Sequence, residues 1–212
     1  MKIDWYFDFI SPFAYLQHAQ FSRLPTNVEV NYKPILFAGL LKHWQNIGPA
    51  EIPPKRIFTY KHCYWLAKKQ SVPFKMPPAH PFNSLAALRL AIASGAEKQS
   101  VQVIFDCIWK YGLALDSHDA REFLCSQLNL TDLDNLIDDP DVKQQLRVNT
   151  EEAAMRGVFG VPTFSVQAER TENFWGLDAF DMLLDFLDDP VEFNDAEMQR
   201  IEILPEGTQR KR

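Results

Sequence analysis

The sequence predicts an α/β domain interrupted by an all-helical insertion. The chain opens with a strand-like segment, a helix and a second strand-like segment, and it closes with a helix, two strand-like segments and a final helix. Between these two ends, every clear periodicity is helical. Because a β–α–β opening implies a parallel strand pair with a right-handed crossover, we expect the two ends of the chain to build one sheet.

The opening unit has the clearest signals. Residues 3–10 are rich in aromatic and β-branched side chains and predict a buried strand. Ser11, followed by proline, predicts a helix start, and the proline after Leu24 predicts the end of that helix. Residues 28–37 predict the second strand.

Helical spacing of apolar side chains predicts the insertion, residues 38–139. Two proline-rich segments within it, residues 48–54 and 72–81, predict rigid loops. The predicted helix stops and caps are Gly95, Gly112, Ser117 and Thr131.

Residues 54–69 interleave basic and aromatic residues, a pattern that can bind single-stranded nucleic acids. The same segment also fits a helix with one buried apolar stripe and with lysines on its solvent-exposed face, and we favour this interpretation. The predicted stripe consists of Ile57, Tyr60, Tyr64 and Ala67. Since the formal net charge is −6 and the pI is near 5.4, we expect no nucleic-acid partner.

The C-terminal part returns to mixed structure. The predicted elements are a helix from Pro140 to about Arg156, a strand at residues 161–166, its hairpin partner at residues 172–176 and a closing helix at residues 177–189. Residues 1–37 and 140–195 are therefore predicted to form one discontinuous domain around the insertion. Residues 196–212 are expected to be a fraying tail.

The chain has three cysteines, which are far apart and form no C-x-x-C pair. An odd count without a secretory signal argues against a disulfide scaffold.

Asp4 and Asp8 interrupt the N-terminal apolar run, and no uncharged apolar segment is long enough to span a membrane. His62 beside Cys63 lacks the further ligands of a zinc site. We therefore expect a cytoplasmic protein without a metal or a membrane partner.

Four motifs together resemble one family. They are DFISPFAYL at residues 8–16, HPFNSLAALRLA at residues 80–91, GVFGVPTF at residues 157–164 and WGLD at residues 175–178. In this order they are similar to the DsbA-like branch of the thioredoxin superfamily, and most similar to 2-hydroxychromene-2-carboxylate isomerases and kappa-class glutathione transferases. The resemblance covers about residues 1–189. It implies a thioredoxin-like domain with a helical insertion, glutathione as cofactor, and a homodimer.

Ser11 has two interpretations. A serine before a proline is an ordinary N-cap. In thioredoxin-like redox enzymes, however, this four-residue position holds C-x-x-C, whereas here it holds Ser11-Pro12-Phe13-Ala14, so dithiol–disulfide exchange by this chain is excluded there. A hydroxyl at a positive helix end can donate to the thiolate of a ligand, and we predict Ser11 as the catalytic residue and a glutathione contact.

The other predicted glutathione contacts follow from the resemblance. Val161 and Pro162 resemble the cis-proline element, in which the residue before proline pairs its backbone with glutathione as an added strand; the alternative is a trans proline at a strand entry. The segment Trp175-Gly176-Leu177-Asp178 resembles one that holds the γ-glutamyl end. Asp178 could instead cap or electrostatically stabilise the closing helix, and Ala179 stands where the family often has arginine.

A second substrate is expected between the sheet edge and the insertion. Lys42, Lys55 and Arg56 are candidates for binding its carboxylate, although each could be a solvated surface charge. Phe82 and Asn83 are candidates for lining the pocket, although Asn83 could be only a helix cap. Relatives of this kind carry Lys in the first insertion helix and Asn-Arg in the next loop, which this chain matches incompletely.

The resemblance implies a glutathione-dependent isomerase that acts on an aromatic carboxylate such as 2-hydroxychromene-2-carboxylate by reversible thiolate addition. Two alternatives stay open. One is a kappa-type glutathione transferase, and the other is a non-catalytic thioredoxin-like binding module.

Overall fold

A computed structural model describes residues 1–168 and 170–208. Its four strands form one sheet in the order β2-β1-β3-β4. The strands are β1 (Lys2–Phe7), β2 (Glu29–Pro34), β3 (Thr163–Gln167) and β4 (Thr171–Trp175). β1 and β2 are parallel, whereas β3 is antiparallel to both β1 and β4. The prediction that the two ends of the chain build one sheet is therefore confirmed.

Most helices lie between β2 and β3 in the chain. The α-helices of the described residues are α1 (Pro12–His18), α2 (Phe37–His43), α3 (Pro53–Lys69), α4 (Leu85–Ala93), α5 (Lys98–Phe105), α6 (His118–Leu128), α7 (Leu133–Asp138), α8 (Pro140–Met155), α9 (Phe180–Asp188), α10 (Pro190–Phe193) and α11 (Ala196–Glu202). α5 continues into a π-helical turn, Asp106–Lys110. The predicted α/β class with a helical insertion is confirmed.

The two faces of the sheet bury different clusters, because successive side chains of a strand point to opposite faces. Trp5 lies in the larger cluster and stacks on Phe7 with ring centroids 4.3 Å apart. Its neighbour Tyr6 lies in the smaller cluster with Leu40 of α2 and Ala153 of α8. The β1 strand is thus buried on both sides, as its apolar sequence predicted.

The predicted buried stripe on α3 is wrong in two of its members. Ile57 and Tyr64 are 54% and 49% exposed, whereas Cys63 and Ala67 are buried. The buried face is therefore rotated toward small side chains, which allow a close approach to neighbouring elements. Large aromatic and aliphatic side chains of α3 remain at the surface.

Three predicted boundaries near the N-terminus are wrong. The second strand ends at Pro34, not at Phe37, because Phe37 is already the first residue of α2. β1 ends at Phe7 because the Asp8 carboxylate accepts a hydrogen bond from the Ile10 N–H and forms a turn. The first helix ends at His18, and a separate 3₁₀ turn, Phe21–Arg23, precedes the extended Leu24.

Later boundaries need similar corrections. Residues 48–54 are not only a loop, since they contain a 3₁₀ turn, Pro49–Glu51, and the first two residues of α3. Asp132, not Thr131, caps α7. The closing helix α9 begins at Phe180, three residues later than predicted. The predicted fraying tail contains α11, and its last residues, 209–212, lie outside the described part of the chain.

Within residues 1–168 and 170–208, no helix combines the length and apolar composition needed to cross a membrane.

Candidate functional site

Ser11 lies at the junction of β1 and α1 and is buried. Its Oγ accepts a hydrogen bond from the Ala14 N–H at 3.3 Å, which confirms the predicted N-cap. Its O–H donates to no acceptor within the described residues. The hydroxyl can therefore cap the helix and also donate to a bound group.

Asp8 fixes the turn that leads to Ser11. Its carboxylate is buried and accepts hydrogen bonds from the Ile10 N–H at 3.0 Å and from the Phe37 N–H at 2.9 Å. Its backbone carbonyl accepts from the Ser11 N–H. Burial raises the pKa of Asp8, and the hydrogen bonds from the two backbone groups oppose that rise. The role of Asp8, open from the sequence, is to join the turn to the start of α2.

The helical insertion supplies two more hydrogen bonds to the same turn. The Trp109 Nε1–H donates to the Phe9 carbonyl at 2.9 Å, and the His80 Nε2 lies 2.8 Å from the Ile10 carbonyl oxygen. Sequence reasoning missed both residues. The sequence signal that could have found them is a ring with a polar nitrogen in an apolar segment. When such a ring is buried, its nitrogen usually finds a hydrogen-bond partner.

The sheet register places Val161 and Pro162 beside this turn. Tyr6 of β1 faces Thr163 of β3 in an antiparallel pair, so the residues after Tyr6 lie beside the residues before Thr163. The Val161–Pro162 peptide bond is cis, as the resemblance predicted. Neither the N–H nor the C=O of Val161 has a hydrogen-bond partner within residues 1–168 and 170–208.

The segment after β4 lies next to the same edge. Thr163 faces Trp175, and the Gly176 N–H donates to the Pro162 carbonyl at 2.9 Å. Gly176 has φ +93°, a conformation that favours glycine. From the other side, the Gln17 side chain of α1 donates to the Gly176 carbonyl at 2.8 Å. The structure thus brings α1, the cis-proline segment and the start of the Trp-Gly-Leu-Asp segment together.

Trp175 and Asp178 are both accessible. Trp175 is 50% exposed, and its ring lies 5.0 Å from the Phe159 ring. Asp178 is exposed and is not the N-cap of α9, because Ala179 holds that position without a side-chain hydrogen bond. Leu177 is half-buried and packs against the larger core cluster. The capping interpretation of Asp178 is therefore wrong.

The predicted second-substrate residues are more scattered. Phe82 is half-buried and contacts His80 and Trp109, with ring centroids 5.8 and 6.2 Å apart, so it belongs to the group that supports the turn. Asn83 is exposed, and its Oδ1 accepts from the Leu85 N–H, which supports the helix-start interpretation. Lys42 is exposed near the end of α2, and among the residues that the structure describes its side chain forms no hydrogen bond or ion pair with the turn.

The two other candidate cations lie on α3. Lys55 is exposed and Arg56 is half-exposed in its first turn. Neither forms an ion pair within the described part of the chain. The same residues contain no cluster of His, Cys, Asp and Glu that could hold a metal ion.

A sheet of this topology, with a helical insertion and a serine in place of paired cysteines at the head of α1, defines a thioredoxin-like protein without its own redox pair. The model of the DSBA-like thioredoxin domain matches residues 2–188. The chain belongs to this family.

Named relatives agree with the motifs. The chain is 26% identical to glutathione S-transferase kappa 2 of Caenorhabditis elegans over 207 residues, covering 89% of this chain and 92% of that protein. It is 29% identical to 2-hydroxychromene-2-carboxylate isomerase of Sphingobium xenophagum over 194 residues, covering 87% and 97%. The selenomethionyl structure of a 2-hydroxychromene-2-carboxylate isomerase superposes with a TM-score of 0.77 at 23% identity, covering 97% and 100%. The structural likeness establishes the fold.

Proposed function

We propose that the chain is a glutathione-dependent isomerase acting on an aromatic-degradation intermediate such as 2-hydroxychromene-2-carboxylate. The observation that carries the proposal is the Ser11 hydroxyl, whose O–H has no acceptor among the described residues. It lies at the same sheet edge as the Val161 backbone, whose N–H and C=O have no partner among those residues. One group is suited to a sulfur atom and the other to an extended peptide. Glutathione has both features.

The residues at this edge fit glutathione. The unpaired N–H and C=O of Val161 can form the two hydrogen bonds of an added strand, and a buried pair of this kind is costly without a partner. The exposed Asp178 carboxylate suits an ammonium group, and the backbone after Gly176 leads to it. Ser11 and the N–H groups at the start of α1 suit a thiolate.

Bound glutathione would supply a thiolate that adds reversibly to an electron-poor carbon of the substrate. Ser11 donates its O–H to the sulfur and lowers the pKa of the thiol, because a hydrogen bond to the charged form stabilises that form. Val161 fixes the peptide by its backbone, and Asp178 holds the far end. The chain thus positions the reactants and stabilises charge, and it needs no redox cysteine.

The second substrate is proposed to lie against the insertion. Phe82 offers an aromatic surface close to His80, and Asn83 offers an amide. Lys42 is proposed to attract the substrate carboxylate from the surface. These three assignments define the mutagenesis targets for substrate specificity.

The test compares two serines that both cap helices. Ser11→Ala should abolish most glutathione-dependent turnover, with a loss of about 100-fold, because one donor to developing charge is removed. Ser117 caps α6 with Oγ 3.1 Å from the Ala120 N–H and also donates its O–H to the Ala114 carbonyl, so Ser117→Ala should cost at least about 1 kcal/mol of stability and retain turnover. Full activity of Ser11→Ala, or turnover without glutathione, would overturn the proposal.

A kappa-type transferase is the second candidate, and the relation to the kappa 2 enzyme of Caenorhabditis elegans favours it. The two activities differ in the fate of glutathione. An isomerase leaves the total glutathione unchanged, whereas a transferase consumes it in proportion to product.

A non-catalytic binding module is tested by calorimetry with glutathione, since absence of binding would favour it over both enzymes.

The expected homodimer is tested separately. Large apolar side chains of α3 are exposed in the single chain, among them Phe58 at 66% and Trp65 at 53%. Light scattering coupled to gel filtration measures the mass directly.

A further inference from the structure

His80 connects the helical insertion to the peptide unit that carries Ser11. The Ile10 carbonyl, which lies 2.8 Å from the His80 Nε2, belongs to the same planar peptide unit as the Ser11 N–H. That N–H donates to the Asp8 carbonyl at 3.0 Å. The peptide unit is therefore held at both of its polar ends, by Asp8 on one side and by His80 on the other.

The protonation of the His80 ring follows from its partners. A carbonyl oxygen can only accept, so the Nε2 facing Ile10 must carry the hydrogen. Burial lowers the pKa of His80, and the contact with Ile10 opposes this shift. In the neutral ring Nδ1 is then an acceptor, and it lies 2.8 Å from the Tyr60 hydroxyl. The tautomer that Ile10 requires is the one that leaves Nδ1 free to accept from Tyr60.

Tyr60 orients the ring from the other side. Its hydroxyl lies 2.8 Å from both the Nδ1 and the carbonyl oxygen of His80, so its single O–H is shared between these two acceptors. The ring is also packed against Trp109, with centroids 5.7 Å apart. Hydrogen bonds and packing together leave the His80 ring one orientation, with Nε2–H directed at Ile10.

We propose that His80, oriented by Tyr60, is a positioning residue that fixes the Ile10–Ser11 peptide unit and thereby the direction of the Ser11 side chain toward the sulfur-binding position. This inference rests on the proposed function, in which Ser11 faces the glutathione sulfur. A rotation of the peptide unit would change the φ torsion of Ser11 and turn the Ser11 side chain, together with the start of α1, relative to β1 and the Val161 segment that pairs beside it.

The first experiment needs no glutathione. In a Ser11→Cys background, the thiol itself reports on the direction of the side chain at position 11, because its ionisation depends on the N–H groups that face it. Its half-ionisation pH is measured from the pH dependence of alkylation, with the parent chain as the blank. Burial raises the pKa of Cys63 and of Cys107 to about 12, so these thiols do not ionise in the same range.

His80→Phe keeps a ring against Trp109 and removes the N–H, whereas His80→Gln places an amide N–H near the original Nε2. In the Ser11→Cys background we expect His80→Phe to raise the half-ionisation pH of the thiol by about one unit, the equivalent of one weakened charge-assisted hydrogen bond. His80→Gln should leave the half-ionisation pH close to that of the Ser11→Cys chain. Tyr60→Phe should shift it in the same direction as His80→Phe. The exposed His118→Phe is the matched control and should shift nothing.

Equal half-ionisation pH values in the Ser11→Cys chain with and without His80→Phe would overturn the proposal, as would equal shifts from His80→Phe and His80→Gln. If His80→Phe does not fold, the Tyr60→Phe shift decides. In the protein that keeps Ser11, His80→Phe should lower kcat and leave the KM for glutathione nearly unchanged. If the wild-type chain binds no glutathione, the proposed function fails, while the thiol titration still decides the role of His80.

Discussion

Gln17 of α1 and Gly176 after β4 are 159 residues apart in sequence, and the Gln17 Nε2 donates to the Gly176 carbonyl at 2.8 Å. The Gln17 Oε1 accepts from the Trp5 Nε1–H at 2.7 Å. The amide is fully buried and both of its ends are paired. It therefore fixes the distance between the helix that begins with Ser11 and the segment that ends in Asp178.

Gln17→Leu should reduce both stability and glutathione affinity. It leaves the Trp5 N–H and the Gly176 carbonyl without partners, and each unpaired buried group costs about 1–3 kcal/mol. Urea unfolding measures the stability, and calorimetry measures the affinity. Gln20→Leu is the control, because within the described residues the Gln20 side chain bonds only the exposed Arg23, and its loss should change neither quantity much. A Gln17→Leu protein with unchanged affinity would contradict the positioning role of Gln17.

Asp8→Asn should destabilise the turn before Ser11. The carboxylate accepts from two backbone N–H groups through separate oxygens, whereas an amide presents one oxygen and one NH₂ group. One backbone N–H would then face a donor, and we expect a loss of about 1–3 kcal/mol in unfolding free energy. Asp139→Asn is the control, since the Asp139 N-cap accepts from the Asp141 and Val142 N–H groups through the same oxygen, and Asn and Asp are equivalent N-caps. Equal stabilities of the two variants would show that Asp8 does not hold the turn.

Gly160→Ala should displace the Trp175 ring. A Cβ on Gly160 would lie 2.3 Å from the Trp175 Nε1, which is closer than contact permits. Because Trp175 is half-exposed, its ring can swing into solvent, so we expect weaker glutathione binding with little loss of stability. Calorimetry and thermal unfolding separate the two effects. Gly207→Ala meets no atom within 4 Å and should change nothing.

His18 should make the protein less stable at acidic pH. Burial lowers the pKa of His18 from its ordinary value of 6.5 to about 4, with the Lys98 charge adding to this shift. The unfolded chain therefore binds a proton at His18 between these pH values, while the folded chain does not. The stabilisation is complete above pH 6.5 and is lost as the pH falls toward 4, by about 3 kcal/mol in total.

The measurement is the unfolding free energy in urea across this pH range. His18→Phe should give a shallower pH dependence than the wild type, and the exposed His118→Asn should match the wild type. Part of the slope should persist in His18→Phe, because burial lowers the pKa of His80 as well. An unchanged slope in His18→Phe would contradict the assignment to His18.

Local signals predicted much of the fold. The Ser11–Pro12 cap, the parallel opening pair and the closing hairpin follow from short-range chemistry, and each is present in the structure. The prediction of the buried stripe on α3 was partly wrong, because helical spacing allows more than one apolar face. The face that packs is decided by the neighbouring elements, and here it carries Cys63 and Ala67.

The sequence by itself determined that the chain cannot exchange a dithiol at the head of α1, since Ser11 and Ala14 stand where two sulfurs would be required. It also determined the cap at Ser11, because a cap uses only atoms three residues away. Only the tertiary structure decided what holds that serine in place. The Trp109 and His80 bonds to the turn span 100 and 70 residues, and such contacts depend on where the insertion packs, which no local pattern encodes.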